Sequence, residues 1–552
     1  SNGSGSSVSP FNSIENAIEN NSSYDPGDIV YVKTGTYKNS NWDGINNGTN
    51  DNNDAYTTIT KSNFGTNWYN NKNGSINRPI VIRNYVDSNG NHDVPKIYFD
   101  GKGGFVIGSN SDPISHLEIG GFEIQGPNDE ITYSEALSNR TTAVNDKINN
   151  GTTTTQRNFY HGRGIVVWGG HYINIHNNKV WDCPNSGIRT NNSDYVRIFN
   201  NEVFDNTWWS YNAESAIVIA QSRVRDGSGS GTATTIKMRI ENNIVYNNIN
   251  KLPYFNANYG CSNDANSTSY GCGGQNKIID GSGCYITRNA YDSDDASGSN
   301  PNYSSAGDFY GTFLFANNVS YGNGMNGVVV HKTNYAKVYN NTVHKNGEVP
   351  SDDDTDWGSY GVDWKDALSV SRQKYTGIVV HSSSNVEVYN NISWAKNSGD
   401  KAFVLYTESD WSSSSVTWGK NLPGSGTGIS SSNISSEDWL TQADPLFTDA
   451  TNATLSSRDY SLTTSSSAID AANSNYSTDY DINNIPKPQS SGDDIGAYEY
   501  GTNTWDGSTN TAWATATNWS RNSVPSSSDR PIIPNVANDP DITTDVTLED
   551  IT

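Results

Sequence analysis

Two carboxylates, Glu214 and Asp280, stand at near-equivalent points of two similar segments, and such a pair can do acid–base chemistry. Each precedes a short apolar run that opens on a small residue: Glu214 lies two residues before Ala216, and Asp280 three before Gly283. Brought close together, two carboxyl groups push each other's pKa apart, which leaves a proton donor and a base near neutral pH. Glycoside hydrolysis needs that combination, with carboxyls ~5–5.5 Å apart for retention and ~6.5–9.5 Å for inversion. Sequence spacing leaves the two outcomes open. In a plainer reading, Asp280 is a turn residue before Gly281 and Glu214 a solvated loop residue. A third reading has the pair hold Ca²⁺, weakened by the lack of more acidic partners in the same columns. His161, three residues before Gly164, is a third catalytic candidate.

Basic and aromatic side chains gather around the same segments. Arg163 precedes Gly164, while Arg189 and Tyr285 hold one outward strand position in two nearby segments. His331 and His381 share the fifth position, Lys332 follows the first of them, and Lys374 lies three residues before Gly377. In a chain of net charge −24, a row of Arg, His and Lys marks a local positive groove for sulfates or carboxylates. Singly, each has a structural explanation: Arg189 could pair with a neighbouring acid. Insertions before these segments carry Trp208, Trp209 and Tyr211, then Tyr254, Phe255, Tyr259 and Tyr270, then Trp357, Tyr360 and Trp364. Exposed rings there would stack on sugars, Trp208 and Trp209 foremost, and buried ones would fill the loops' own small cores.

The elements that must position these residues are repeated. Six segments join a β-rich run to an Asn-Asn pair, whose second members are Asn178, Asn201, Asn243, Asn318, Asn341 and Asn391. Between them runs a second strand type, with GIVVW from Gly164, GIRT from Gly187, AIVIA from Ala216, GCYIT from Gly283, GVVVH from Gly327, GIVVH from Gly377 and AFVLY from Ala402. Two intervals between asparagine pairs are 23 residues and the rest are longer, as insertions would make them. Two or three short strands per repeat, stacked on the next coil about 4.8 Å away, predict a solenoid of parallel sheets. An Asn tolerates left-handed backbone at a turn, and stacked Asn amides can form a ladder between coils. A β-propeller would need four strands per blade and a more even period. The fold class is therefore all-β, a right-handed parallel β-helix over residues 1–500. Phe11, Ile14 and Ile18 predict an N-terminal capping helix, and the Trp-rich residues 501–552 predict a small β module, cut short.

Composition narrows the function. With 35 Lys and Arg against 59 Asp and Glu, nucleic acid and anionic membranes are poor partners. The 32 Tyr and 15 Trp argue against disorder. No stretch is long and apolar enough for a membrane span. The Ser/Asn/Gly-rich start reads as a mature beginning, with any export signal already removed. Cys261 and Cys272 bracket a Gly/Ser/Asn-rich loop, as a disulfide or as two free thiols.

GDIVYVKTGTY, the Asn-Asn coils, IIDGSGCYI and the ending DPLF…SAID…DIGAYEY resemble secreted bacterial right-handed β-helix proteins, among them polysaccharide lyases and glycoside hydrolases. Asp280, Gly281 and Gly283 match that family's Asp-Gly-Asn-Gly segment, with Ser282 in place of its Asn. The C-terminal module resembles those appended to secreted proteins of marine Bacteroidota, and β-helical endo-fucanases are the most similar enzyme class. The resemblance implies a secreted monomer that hydrolyses an acidic, fucan-like polysaccharide or oligosaccharide, with no cofactor unless Ca²⁺. In the lyase alternative, Lys374, His161 or Tyr285 removes a proton beside a uronate carboxylate. In the non-enzyme alternative the chain is an adhesin.

Overall fold

The computed structural model describes, in the main, residues 9–18, 24–38, 56–60, 78–109, 113–150, 158–212, 214–225, 233–255, 280–289, 311–348, 375–407, 413–425, 438–489 and 491–520, with isolated gaps and a few short runs beside them. Lys374, Cys261, Cys272, Tyr259, Tyr270, Trp357, Tyr360 and Trp364 lie outside the described residues.

The chain winds as a right-handed parallel β-helix of three ten-stranded sheets, and in each sheet every strand pairs with its counterpart one coil away. Sheet 1 runs from Ile29–Val32 through Asp194–Phe199 to Val416–Gly419. Sheet 2 runs from Gly35–Lys38 through Glu202–Phe204 to Leu422–Pro423. Sheet 3 runs from Thr57–Ile59 through Ile217–Ala220 to Gly428–Ile429 and carries the second strand type of the repeat.

Identical positions stack because each coil repeats the same in-and-out pattern. On sheet 3 the inward column is Ile165, Ile188, Ile217, Cys284, Val328, Ile378 and Phe403, all buried. Cys284 is thus one rung of an apolar column, and both it and Cys183 are free thiols. The small residue opening each of these strands has a steric cause. A Cβ on Gly187 would lie 2.5 Å from the Val203 Cγ1 of sheet 2, and one on Gly327 2.2 Å from that of Val343.

The asparagine pairs divide two tasks. The first members Asn177, Asn200, Asn242, Asn317, Asn340 and Asn390 take φ of 53–58° at the bend, where Asn is tolerated better than most residues. The second members form a buried ladder: Asn243 Nδ2 donates to Asn318 Oδ1 at 3.0 Å, and Asn318 Nδ2 to Asn341 Oδ1 at 2.9 Å. Each Oδ1 also takes a backbone N–H, as from Asn243 to Asn318 at 3.1 Å. A second ladder, absent from the sequence reading, links Asn206, Asn248, Asn323 and Asn346. Removing one rung orphans several buried donors at about 1–3 kcal/mol apiece. Asn318→Ala is expected to lower stability by more than about 3 kcal/mol, seen as a lower denaturant midpoint. Asn200→Gly, at an exposed bend, should stay within about 1 kcal/mol.

Helix α1, Ile14–Ile18, buries Ile14, Ala17 and Ile18 at the N-terminal end, as the spacing predicted. Helix α2, Tyr133–Asn150, was not anticipated. It begins at a capping box in which Glu135 N–H donates to Thr132 Oγ1 and Thr132 N–H to Glu135 Oε2, a Thr-x-x-Glu signature. It packs Tyr133, Ala136 and Val144 into a lateral core with Trp208, Trp209, Tyr211 and Phe255.

Residues 446–500 add no coil but run back over sheet 2. There Asn317 Nδ2 donates to Tyr480 O at 2.8 Å, Asn340 Nδ2 to Asp494 O at 3.1 Å and Asn390 Nδ2 to Asn473 O at 3.0 Å. Beyond Tyr500, Trp505, Trp513 and Trp519 form the core of the terminal module, whose described backbone pairs only through isolated bridges.

Candidate functional site

A cavity of ≈ 190 Å³ opens on the outer face of sheet 3, and its position follows from side-chain size. In one outward column Val218 lies between Arg189 and Tyr285, and in the next Ala220 lies between Asn191 and Thr287. The short side chains of strand Ile217–Ala220 leave a hollow that the longer ones on either side enclose. Glu214, Ser215, Asp280 and Tyr254 line its near edge, and Gln221, Arg288 and His331 its far edge.

Coil stacking brings Glu214 and Asp280 to one edge, as aligned columns predicted: Gly281 N–H donates to Glu214 O at 3.0 Å, and both side chains line the cavity. Their surroundings differ. Asp280 Oδ1 accepts from Ser215 Oγ and from the N–H groups of Gly281 at 3.0 Å and Ser282 at 3.4 Å. Burial pushes the Asp280 carboxyl up to about 6; the Ser215 hydrogen bond opposes this and the Glu214 charge adds to it. Burial acts on Glu214 in the same direction, but the Arg189 and Arg163 guanidiniums outweigh it and hold the carboxyl below its ordinary value. Arg163 Nη2 lies 3.0 Å from Glu214 Oε1, Arg189 Nη1 pairs with Oε2, and Ser186 Oγ donates to Oε2 at 3.0 Å.

These pairs revise the sequence reading of the cations. Arg163 does not line the cavity, and Arg189, which does, is held by Glu214 and by Asn191 Oδ1 at 2.7 Å. Both pair with Glu214, since a buried carboxylate requires paired charge, and for Arg189 this is the neighbouring acid that the sequence allowed. His161 is likewise not at the cavity wall. Its Nδ1 contacts Ser210 Oγ at 3.1 Å, its ring packs edge-on to Tyr211, and burial depresses its pKa to about 3, so it is neutral. Trp208 and Trp209 are corrected too: at 5% and 0% exposure they form the core under α2 and offer no ring face to solvent. Tyr254, from the next insertion, does reach the cavity.

Tyr285 and His331 line the cavity together. His331 Nδ1 contacts the Tyr285 hydroxyl at 2.9 Å and Thr287 Oγ1 at 2.8 Å, while its buried Nε2 has no hydrogen-bond partner among the described residues. Burial foremost, then His381, Lys332 and Arg288, depress the His331 pKa, so this ring is neutral as well. His381 stacks on it with centroids 4.5 Å apart, and Lys332 follows it at the bend. Arg288, Gln221 and Ser215 were not anticipated. A signal existed for the first two, since each directly follows the last residue of a sheet-3 strand.

Ca²⁺ fits the carboxylates poorly. It takes 6–8 oxygens, whereas the Glu214 oxygens are engaged by two arginines and Ser186, and Asp280 Oδ1 by three donors. No group of three or more His, Cys, Asp or Glu suited to a metal occurs among the described residues. Nor is any described helix long and apolar enough to cross a membrane.

Solved structures similar to this chain include pectate lyase Pel9A, with 15% identity, a TM-score of 0.39, and coverage of 90% of this chain and 93% of that one. Another is the A-module of the Azotobacter vinelandii mannuronan C-5 epimerase AlgE4, with 11% identity, a TM-score of 0.36, and coverage of 76% and 86%. A third is PfbA, a surface adhesin of Streptococcus pneumoniae, with 11% identity, a TM-score of 0.38, and coverage of 74% of each chain. No family model and no curated protein matches the chain, so its chemistry has to be read from the cavity itself.

Proposed function

We propose that the protein is an extracellular glycoside hydrolase that cleaves an acidic, sulfated fucan-like polysaccharide on the outer face of sheet 3. One observation carries this reading: two carboxyls share one cavity, Asp280 pushed up to about 6 and Glu214 held ionised by two arginines. A neutral acid beside a permanent carboxylate is the division of labour that glycoside hydrolysis uses. Asp280 donates its proton to the departing glycosidic oxygen as the bond to the ring carbon breaks, and water then adds to that carbon and gives its proton to the Asp280 carboxylate. Glu214 faces the ring carbon as positive charge develops there, and Ser186, Arg163 and Arg189 keep it fixed and charged. At ≈ 190 Å³ the cavity is below the size of a drug-sized ligand site, which suits a single ring of a longer chain.

The acid must be protonated, so turnover is expected to be level below about pH 6 and to fall roughly tenfold per unit above it. A pH profile of kcat on a sulfated fucan checks this, and a plateau extending past pH 8 would remove Asp280 from the acid role. New reducing ends without ultraviolet absorbance are the expected products. The lyase alternative has its own support in the Tyr285–His331 contact at the same cavity, and products absorbing in the near ultraviolet would establish it instead.

A further inference from the structure

The far edge of the cavity differs chemically from the near edge. Seven of the ten sheet-3 strands are followed directly by a residue with a left-handed backbone: Gly108, Gly169, Asn192, Gln221, Arg288, Lys332 and Ser382. Gly and Asn fit such positions best, and three of the seven conform. Beside the cavity the column instead carries Gln221, Arg288 and Lys332 on three successive coils, at φ of 53°, 55° and 43°. The backbone there stays in register, since Gln221 N–H donates to Thr287 O at 3.0 Å, Arg288 N–H to His331 O at 3.2 Å and Lys332 N–H to His381 O at 3.0 Å. Long polar side chains thus occupy an unfavourable conformation where the cavity lies, with Gln221 and Arg288 in its lining. The two arginines beside Glu214 are both paired with its carboxylate, and Arg288 adds positive charge at the opposite edge of the lining.

We propose that Arg288 and Lys332, aided by Gln221, form a distinct subsite that reads an anionic substituent, a sulfate ester or a carboxylate, on the sugar bound in the cavity. Strand Ile217–Ala220 separates the two edges by roughly 10 Å, so the substituent lies on the side of the sugar remote from the bond that Asp280 protonates. His331, whose buried Nε2 has no partner among the described residues, lies beside Lys332 and adds a neutral polar contact. This assignment rests on the proposed site, but concerns binding and can be read without turnover.

The test uses Arg288→Asn and Lys332→Asn, which suit the left-handed bend, with the unfolding midpoint of each measured alongside to show that it folds. Each is combined with Asp280→Asn so that binding is measured without cleavage. The ligands are a sulfated fucan, the same polymer after desulfation, and polygalacturonate. Each substitution should weaken binding to the sulfated or to the uronate polymer by about 10- to 100-fold, flatten its dependence on salt, and leave the desulfated polymer unaffected. Which polymer responds identifies the anion. Arg288→Lys should recover part of the loss by restoring charge without the planar fork. Equal loss on charged and uncharged polymers, no loss, or a parent protein with no preference for any charged polymer overturns the subsite. If Asp280→Asn alone cleaves at the parent rate, the hydrolase reading fails while the binding result stands.

Discussion

Asp280→Asn is expected to reduce turnover by 10²- to 10⁴-fold and to leave the protein at least as stable as its parent above pH 6. The activity loss follows from removing the carboxylic acid proton that Asp280 supplies to the leaving oxygen. The stability effect follows from linkage. The folded-state pKa of Asp280 is raised from 3.8 to about 6, so the favourable neutral form is present at low pH. Its contribution is lost as pH rises through about 6 and the buried carboxyl ionises. An amide cannot ionise and keeps its acceptor oxygen for Ser215, Gly281 and Ser282, so the variant escapes that loss. Rate assays and denaturant midpoints at pH 5 and 8 report both effects. An active variant, or one destabilised equally at both pH values, would contradict the assigned role.

Glu214→Ala carries the second large effect, and here stability is the more direct readout. The carboxylate pairs with both Arg163 and Arg189, whose side chains are 19% and 17% exposed. Removing one member of a buried ion pair leaves an uncompensated charge and typically costs about 3–5 kcal/mol. Glu214→Ala should therefore unfold at a markedly lower denaturant concentration, and Glu214→Gln, which keeps an acceptor for Ser186, at an intermediate one. Both should lose turnover by orders of magnitude, because neither supplies negative charge to the ring carbon. The sign with pH is opposite to that of Asp280. A carboxyl held below its ordinary value stabilises the fold above that value, and the benefit disappears as pH falls through the lowered one. Wild-type stability in Glu214→Ala would mean that water, not Glu214, satisfies the arginines.

The course of the coils was legible because stacking imposes equality between distant positions. The doublets ending at Asn178 and Asn201, like the small residues Gly187 and Gly327, must recur when each meets the same neighbours on every turn. The same logic placed Glu214 beside Asp280 across an insertion. It did not specify that Arg163 and Arg189 meet Glu214, which they do from 51 and 25 residues away in sequence. Aligned columns locate a backbone, but pairing depends on where long side chains turn, and that is set by burial. Trp208 and Trp209 failed for a related reason: an aromatic pair in an insertion reads alike whether it faces solvent or a helix. The helix was itself announced by Thr132 and Glu135, a local capping signal that lies outside the repeat. The second ladder was also within reach, since Asn206, Asn248, Asn323 and Asn346 each follow a ladder asparagine by five residues.

The segment that returns over sheet 2 alters how the molecule comes apart. A stack of units held only by nearest neighbours frays from its ends, one layer at a time. Here a single strap is pegged to three layers through Asn317, Asn340 and Asn390, and its Ala497 N–H donates to Thr342 Oγ1 at 3.0 Å. None of those layers can open without breaking the peg that also tethers the others. The three pegged layers are therefore expected to open as one cooperative block, with fraying favoured at the opposite end of the stack.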